Sequence, residues 1–249
     1  MIHPAKWTHK LSEGLSFEEG ALLEPLAVAV HACRRAGIKK GSTCIIIGAG
    51  AVGLLCAVAA RLEGCSRVAI ADIAETRVDF AVENDFADAG FVVPLKRSDD
   101  PLQRLGFAKE LATSIGNVED SEGVRIGRAD YTFECTGVES CVQASIYATK
   151  SGGKAILVGM GTPNHFLPIS EASAREVDLV PTWRYADCYP RAMEIMQQSR
   201  TEDTIPSIST IVTHRFEGLE QVPSALETAC RTQDDKGAMI VKVVVNFKE

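Results

Sequence analysis

TCIIIGAGAVG, residues 43–53, is the stretch of sequence that decides the fold. Its first five residues are mostly β-branched and apolar, which predicts a strand buried on both faces of a parallel sheet. Three glycines follow at the spacing G-x-G-x-x-G: Gly48, Gly50 and Gly53. Residues 51–63 then predict a helix. A strand, a glycine turn and a helix in this order predict a phosphate-binding turn.

Each glycine has a separate predicted role. Gly48 permits the tight turn, Gly50 lets the main chain approach a pyrophosphate, and Gly53 lets the helix pack close to the strand. The free N–H groups at the helix N-terminus favour a phosphate there. Asp72 ends the next predicted strand, residues 67–71, and completes a dinucleotide-binding fingerprint.

Asp72 also bears on the choice of cofactor. Its carboxylate can accept hydrogen bonds from both ribose hydroxyls of NAD and would repel the 2′-phosphate of NADP. Arg77 complicates this, because a nearby arginine can hold that phosphate, lie over the adenine or bond solvent. The sequence favours NAD.

Strands and helices alternate along most of the chain. Further strands are predicted at residues 91–93, 131–134, 154–158 and 177–183, and further helices at residues 24–36, 75–84, 101–115, 139–149 and 187–198. This alternation predicts βαβ units and an α/β fold with a doubly wound parallel sheet.

Three segments are predicted. Residues 1–23 form a leading segment of loop and extended chain, residues 24–183 form a Rossmann-type dinucleotide-binding domain, and residues 184–249 form a C-terminal segment. In the last segment, residues 211–212 and 239–245 predict strands, and a helix is predicted at residues 219–229. No upstream stretch is an obvious partner for the final strand.

Two tripeptides follow the fourth and fifth strands of the predicted sheet. They are Cys135-Thr136-Gly137 and Val158-Gly159-Met160. Ligands of open α/β sheets bind outside the carboxyl ends of the strands, so both tripeptides are candidate cofactor contacts. The two glycines have an equally simple explanation as turn residues, and the sequence leaves both explanations open.

Composition excludes several classes of partner. The 249-residue chain carries a formal net charge of −7, which argues against nucleic acid or an anionic membrane as partner. No apolar run approaches the roughly 20 residues of a membrane span, and no secretion signal is evident, so a cytoplasmic location is expected. The eight cysteines show no C-x-x-C spacing and are predicted to be reduced, buried small hydrophobes.

Residues 17–28, FEEGALLEPLAV, resemble the segment that enters the cofactor domain of medium-chain zinc-dependent dehydrogenases. The likeness is closest to the sorbitol, xylitol and L-arabinitol dehydrogenase group, and it runs from about Pro4 to Val245. Shorter stretches share it: residues 134–137, 146–149, 151–153, 184–185 and 212–216.

The resemblance implies a function. In the family, zinc lowers the pKa of an alcohol oxygen, and hydride passes to the nicotinamide of NAD as a polyol becomes a ketose. Glu24 matches the glutamate that ligates the zinc or holds its water. Arg184 and Tyr185 match polyol contacts. The implied NAD contacts are Val52, Asp72, Arg77, Val158, Gly159, Met160, Thr182, Trp183 and Arg184.

The chain also departs from the family. There a GroES-like domain precedes these motifs and supplies most zinc ligands, whereas this sequence begins after them. A catalytic zinc needs about three protein ligands, so Glu24 alone is not expected to hold one. The resemblance therefore implies that a remnant of this second, GroES-like domain accompanies the sheet: residues 1–23 belong to it, and residues 184–249 return toward it. Residues 239–245 would lack their sheet, leaving an exposed edge.

Two functions are therefore expected as alternatives. The first is the cofactor-binding part of a polyol dehydrogenase, which binds NAD(H) and meets its small polyol substrate only when completed by the missing domain. The second is a catalytically dead NAD(H)-binding module that serves a partner. The edge of the sixth predicted strand, residues 177–183, can pair between subunits, so a homo-oligomer is also expected.

Overall fold

The computed structural model describes residues 2–247. The strands are β1 (Thr43–Ile47), β2 (Arg67–Asp72), β3 (Ala89–Val92), β4 (Ala129–Glu134), β5 (Thr149–Leu157), β6 (Asp178–Pro181), β7 (Val212–Glu217) and β8 (Lys242–Asn246). The helices are α1 (Phe17–Ala36), α2 (Ala51–Leu62), α3 (Glu75–Glu83), α4 (Pro101–Gly116), α5 (Glu139–Ala148), α6 (Ile169–Ala174), α7 (Tyr189–Thr201) and α8 (Val222–Ala229). Met1 and residues 248 and 249, the outer ends of the first and last predicted segments, lie outside the described residues.

Six strands form one parallel sheet in the order β3-β2-β1-β4-β5-β6. The chain runs outward from β1 to β3 and then returns to place β4 on the other side of β1. This reversal opens a crevice at the carboxyl ends of β1 and β4, where ligands of such sheets bind. The predicted doubly wound sheet is confirmed.

β1 lies at the centre of two packed layers. Cys44 and Ile46 pack with residues of α1 and α2, whereas Ile45 and Ile47 pack with residues of α4 and α5. All four side chains are buried, as the apolar run predicted for a strand covered on both faces.

The first long helix begins earlier than predicted. Residues 17–23, expected as loop and extended chain, belong to α1, so the predicted helix start at Glu24 is wrong. Ser16 Oγ accepts a hydrogen bond from Glu19 N, and Glu19 Oε2 accepts one from Ser16 N, which is a capping box. Pro25 favours a helix start, but it lies inside α1. The domain boundary predicted after residue 23 falls within this helix and stays a prediction.

β5 is longer than predicted and irregular at its start. Ala129 pairs with Thr149 but Tyr131 pairs with Lys154, so the residues between Thr149 and Lys154 form a bulge within the strand. The short helix α6 was not predicted. The predicted helix at residues 219–229 divides into a 3₁₀ turn and α8.

The final strand has a partner. β8 pairs in parallel with β7, with Arg215 opposite Val244, and α8 lies between the two strands in the chain. The expectation that this strand would lack a partner is wrong. Strands about 30 residues apart pair only once a crossover helix brings them together, so no local pattern revealed the pairing.

The cysteines are free thiols. Five are buried, and burial raises the pKa of Cys33 and Cys44 well above the usual thiol value. Cys230 is exposed and departs from the predicted burial. Among residues 2–247, no helix combines the length and apolar character needed to cross a bilayer.

Candidate functional site

A cleft of about 400 Å³ lies at the carboxyl ends of β1, β2 and β4. Six residues predicted as cofactor contacts line it: Gly48, Gly50, Asp72, Arg77, Cys135 and Thr136. The structure therefore brings most of the fingerprint and two residues of the first strand-end tripeptide to a single concave site. Concave, mostly apolar sites with a few placed polar groups are where small molecules bind.

The three glycines of the turn meet different surroundings. A Cβ on Gly53 would lie 1.8 Å from the carbonyl oxygen of Gly48, so only glycine lets α2 approach the turn. Gly48 has a φ of +106°, and a Cβ there would lie 2.8 Å from Thr136 Cγ2. A Cβ on Gly50 would meet nothing within 4 Å. Packing thus requires Gly48 and Gly53, while the ligand-facing role of Gly50 stays a prediction.

Asp72 is held in place by main-chain groups. Its Oδ2 accepts a hydrogen bond from Ala49 N at 2.7 Å, and its Oδ1 accepts one from Ala74 N at 2.9 Å. A carboxylate offers about four acceptor sites, so two remain for a ligand. The side chain joins the glycine turn to the end of β2 and still lines the cleft.

Arg77 contacts a distant part of the chain. Its Nη2 donates to the carbonyl oxygen of Ile240 at 2.7 Å, and its buried Nε has no hydrogen-bond partner in the described part of the chain. Thr232 lines the same cleft. The C-terminal segment therefore forms part of the cleft wall. No local pattern predicts this contact, because more than 160 residues separate the partners.

An apolar wall stands beside Asp72. It consists mainly of Ile73, Val93, Leu95, Leu111, Val138 and Cys141. Residues 93–96 follow β3, so the strand-end rule that located the other contacts would also have located them. Lys96 in this segment pairs with Glu110 at 2.8 Å and lies 4.9 Å from the ring of Phe107. A narrow apolar slot next to a carboxylate suits a flat ring attached to a ribose.

The turns after β4 and β5 touch main chain to main chain. A Cβ on Gly137 would lie 2.3 Å from the carbonyl carbon of Met160, and a Cβ on Gly159 would lie 2.1 Å from Gly137 N. The two glycines are therefore needed for more than the shape of each turn. They contact each other so closely that neither position has room for a side chain. Their approach to a cofactor stays a prediction.

Glu134, which sequence analysis missed, is fully buried at the end of β4. Its Oε1 accepts a hydrogen bond from Thr136 N at 2.7 Å, and both carboxylate oxygens lie 3.0 Å from Gly137 N. Burial raises the pKa of Glu134, while hydrogen bonds from Thr136 and Gly137 and the charge of His165 act in the opposite direction. An acidic residue at the end of an apolar strand was the available signal.

The remaining predicted contacts lie outside the cleft. Val52 is partly buried in the first turn of α2. Thr182 N donates to the carbonyl oxygen of Leu157 at 3.0 Å. Trp183 is 68% exposed, and the guanidinium of Arg184 lies 6.0 Å from its ring. Arg184 has a φ of +49°, which is uncommon for a residue with a side chain.

Glu24 and Tyr185, predicted from the resemblance as catalytic, both act on a third residue. The rings of Tyr185 and Tyr189 meet edge to face at 5.4 Å. Burial raises the pKa of Tyr189, and a hydrogen bond with Tyr185 and the charge of Glu24 raise it further. Tyr189, four residues after Tyr185, was not predicted. Arg184 does not join this cluster, since its recorded contact is with Trp183.

Zinc is the group that the resemblance attaches to Glu24. Within residues 2–247, no three or more His, Cys, Asp or Glu side chains are grouped so that they could hold a metal ion. Glu24 itself is exposed on α1. The described residues therefore do not by themselves fit a zinc ion.

Comparison with known proteins identifies the family and the fold. A family model described as zinc-binding dehydrogenase matches residues 51–198. Sorbitol dehydrogenase of Gallus gallus is 37% identical over 234 residues, which cover 94% of this chain and 59% of that protein. The chain spans about three fifths of the length of the curated relatives it matches.

Solved structures show the same fold. An oxidoreductase/dehydrogenase of unknown specificity from Escherichia coli superposes with a TM-score of 0.77 at 26% identity, covering 99% of this chain and 62% of that one. A protein of Sinorhizobium meliloti 1021, described as a zinc-binding dehydrogenase and bound to NADP, gives a TM-score of 0.73 at 24% identity, covering 97% and 63%. The chain therefore belongs to the medium-chain, zinc-dependent dehydrogenase family, in its polyol dehydrogenase group.

Proposed function

We propose that this chain binds NAD(H) across the carboxyl edge of its sheet, as the cofactor-binding part of a polyol dehydrogenase. The observation that carries the proposal is the position of Asp72. It lines the cleft beside the glycine turn and keeps acceptor capacity for the hydroxyls of a ribose.

The diphosphate binds at the start of α2. Gly50 caps that helix without a side-chain hydrogen bond, so the first N–H groups of the helix are available to an anion. Open space at the Cβ position of Gly50 gives the diphosphate access to the main chain. The adenine enters the apolar slot formed by Val93, Leu95 and Leu111.

NAD is favoured over NADP for two reasons. The Asp72 carboxylate repels a 2′-phosphate on the same ribose. The Arg77 guanidinium keeps its charge and would attract that phosphate, but its hydrogen bond from Nη2 to the carbonyl oxygen of Ile240 restricts how far it can turn toward the ribose.

The nicotinamide lies along the strand ends of β4 to β6, with Arg184 and Tyr185 toward the polyol. Oxidation of a polyol to a ketose is proposed for the whole protein, because its relatives are named sorbitol dehydrogenases. In the family, a zinc ion assists the oxidation. Among the described residues, Glu24 is the one that we propose as a ligand of that zinc or of its water.

Calorimetric titration of the full chain with NADH and NADPH tests the cofactor proposal. NADH is expected to bind at least about tenfold more tightly, because repulsion and a lost hydrogen bond each cost on the order of 1 kcal/mol. Tighter binding of NADPH would reverse the choice of cofactor, and binding of neither would refute the proposal.

Assays with NAD and sorbitol, xylitol or L-arabinitol test whether this chain oxidises a polyol, which NADH formation would support. Cofactor binding without turnover fits both functions that the sequence left open. Persistent cofactor binding with a defined protein partner in cells supports the NAD(H)-binding module. Pairing of two copies along β6, the edge strand of the six-stranded sheet, also stays a proposal, which light scattering would check.

A further inference from the structure

Glu134 connects two turns of the site without lining the cleft. Its carboxylate accepts hydrogen bonds from Thr136 N, from Thr136 Oγ1 and from Gly137 N. Every recorded hydrogen bond of this side chain goes to the turn that follows β4. The carboxylate therefore sets the path of the main chain at the end of its own strand.

The main chain of the same residue holds the second turn. The carbonyl oxygen of Glu134 accepts hydrogen bonds from Val158 N at 2.9 Å and from Gly159 N at 2.8 Å. Four residues predicted to contact the cofactor are thus bonded to one residue: Thr136, Gly137, Val158 and Gly159.

The two turns leave each other no room to move independently. A Cβ on Gly161 would lie 1.8 Å from the carbonyl oxygen of Gly137, and a Cβ on Gly159 would lie 2.1 Å from Gly137 N. A displacement of the turn at Gly137 must therefore displace residues 159–161 as well, because close-packed main chains transmit strain.

The position requires a carboxylate. The partners of its two oxygens are N–H and O–H donors, so both oxygens must act as acceptors. An amide at this position would turn an NH₂ group toward a donor. That NH₂ group would face the N–H of Gly137, which now bonds to both carboxylate oxygens, and the turn would shift to separate the two donors.

We infer that Glu134 is a positioning residue for the nicotinamide half of the dinucleotide. It acts through the turns at residues 136–137 and 158–161 and does not touch the cofactor. The inference rests on the proposed binding of NAD(H). Thr136 also lines the cleft beside Gly48. The effect of Glu134 on the adenosine half is nevertheless expected to be the smaller one, because Asp72 and the glycine turn hold that half.

The test compares two ligands on the Glu134→Gln variant of the full chain. NADH spans both halves of the site, whereas ADP-ribose lacks the nicotinamide. NADH affinity is expected to fall by about tenfold or more, while ADP-ribose affinity changes by less than about twofold, because the lost charge-assisted hydrogen bonds lie on the nicotinamide side.

Thr132→Val is the matched control. Thr132 is fully buried on the same strand, and its Oγ1 accepts a hydrogen bond from Thr149 Oγ1 at 3.0 Å, away from both turns. We expect the Thr132→Val variant to have a lower thermal stability than wild type and to bind NADH and ADP-ribose with unchanged affinity. This control separates positioning from a general loss of stability.

Each outcome decides one question. A folded Glu134→Gln variant that binds both ligands like wild type, or loses both equally, overturns the inference. Wild-type protein that binds neither ligand refutes the proposed function instead. If Glu134→Gln does not fold, Glu134→Asp keeps the charge with a shorter reach, and it must show selective loss of NADH for the inference to stand.

Discussion

The two halves of the sheet's carboxyl edge are built differently. Around β1, β2 and β3, the glycine turn, Asp72 and an apolar wall, together with the turn after β4, enclose a cleft of about 400 Å³. Around β5 and β6, the main chain is packed as tightly, but Met160 and Trp183 have 72% and 68% of their surface exposed.

The two halves of this edge differ in the side chains that they present, whereas their main chains are packed alike. In both halves, glycines bring main chain against main chain, at Gly53 in one and at Gly159 in the other. In the proposed binding mode, the half around the glycine turn holds the adenosine and adds fixed side chains to that floor, so we expect it to recognise this part of the ligand by itself. The nicotinamide half offers chiefly its main chain. ADP-ribose should therefore retain most of the affinity of NADH.

Gly53→Ala is expected to have the largest effect, because it disrupts the floor of the adenosine half. The new Cβ would lie 1.8 Å from the carbonyl oxygen of Gly48. We expect a loss of about 3 kcal/mol in the free energy of unfolding, measured by urea denaturation, and loss of both ligands. Gly106→Ala, in an open position on α4, should instead stabilise the chain by about 0.5–1 kcal/mol. A Gly53→Ala variant as stable as wild type would show that close main-chain packing at Gly53 is not needed for this half of the site.

Asp72→Ala removes a fixed side chain, together with its hydrogen bonds from Ala49 N in the glycine turn and from Ala74 N. Because a hydrogen bond to a charged group is worth about 1.5–3 kcal/mol, we expect calorimetry to show NADH and ADP-ribose binding about 10–100-fold more weakly. The preference for NADH over NADPH should narrow. Glu75→Ala makes the same change in charge at an exposed position three residues away, and both affinities should stay as in wild type. If Asp72→Ala and Glu75→Ala weakened ligand binding equally, the loss would come from the change in net charge and not from the contacts of Asp72.

Gly159→Ala disturbs the nicotinamide half. Its Cβ would lie 2.1 Å from Gly137 N, so the two turns must separate. We expect NADH to bind about tenfold more weakly, a cost of about 1.4 kcal/mol, with ADP-ribose as the internal reference nearly unchanged. Equal weakening of both ligands would show that the halves are not independent.

Asp130 lies at the amino edge of the sheet, opposite the cleft. The substitution Asp130→Asn should therefore have the smallest effect on stability and on ligand binding. Burial alone would raise the pKa of Asp130, but hydrogen bonds from Lys150 and Thr43 bring it below the ordinary value. A lowered pKa stabilises the fold above about pH 4 and ceases to do so as the pH falls through the lowered value.

The stability difference from wild type should therefore be present at pH 7, at about 1 kcal/mol or less after solvent screening, and vanish in acid. Urea denaturation at several pH values measures it, and both ligand affinities at pH 7 should be unchanged. A change in either affinity would mean that the two edges of the sheet are coupled.

Local patterns were enough to predict the sheet. The apolar run at residues 43–47, the spacing of Gly48, Gly50 and Gly53, and the alternation of strands and helices each depend on neighbours in sequence. The sequence carries two competing signals for the start of the first helix. Pro25 favours a later start, which led to the wrong prediction, whereas Ser16 and Glu19 can form a capping box. In the structure the capping box forms and the helix begins at Phe17.

Contacts between distant segments were not predictable in the same way. The pairing of β7 with β8 and the hydrogen bond from Arg77 to Ile240 depend on how the C-terminal segment folds back. No periodicity encodes such a contact, since it links residues whose local sequences are unrelated.

Asp72 and Glu134 show where the sequence stops and the tertiary structure takes over. The sequence alone determined that each acidic residue ends an apolar strand, because strand and turn are local structures. Only the tertiary structure decided that Asp72 lines the cleft and that Glu134 is buried against two turns. The physical reason is that burial depends on which segments pack above a strand end, and those segments come from elsewhere in the chain.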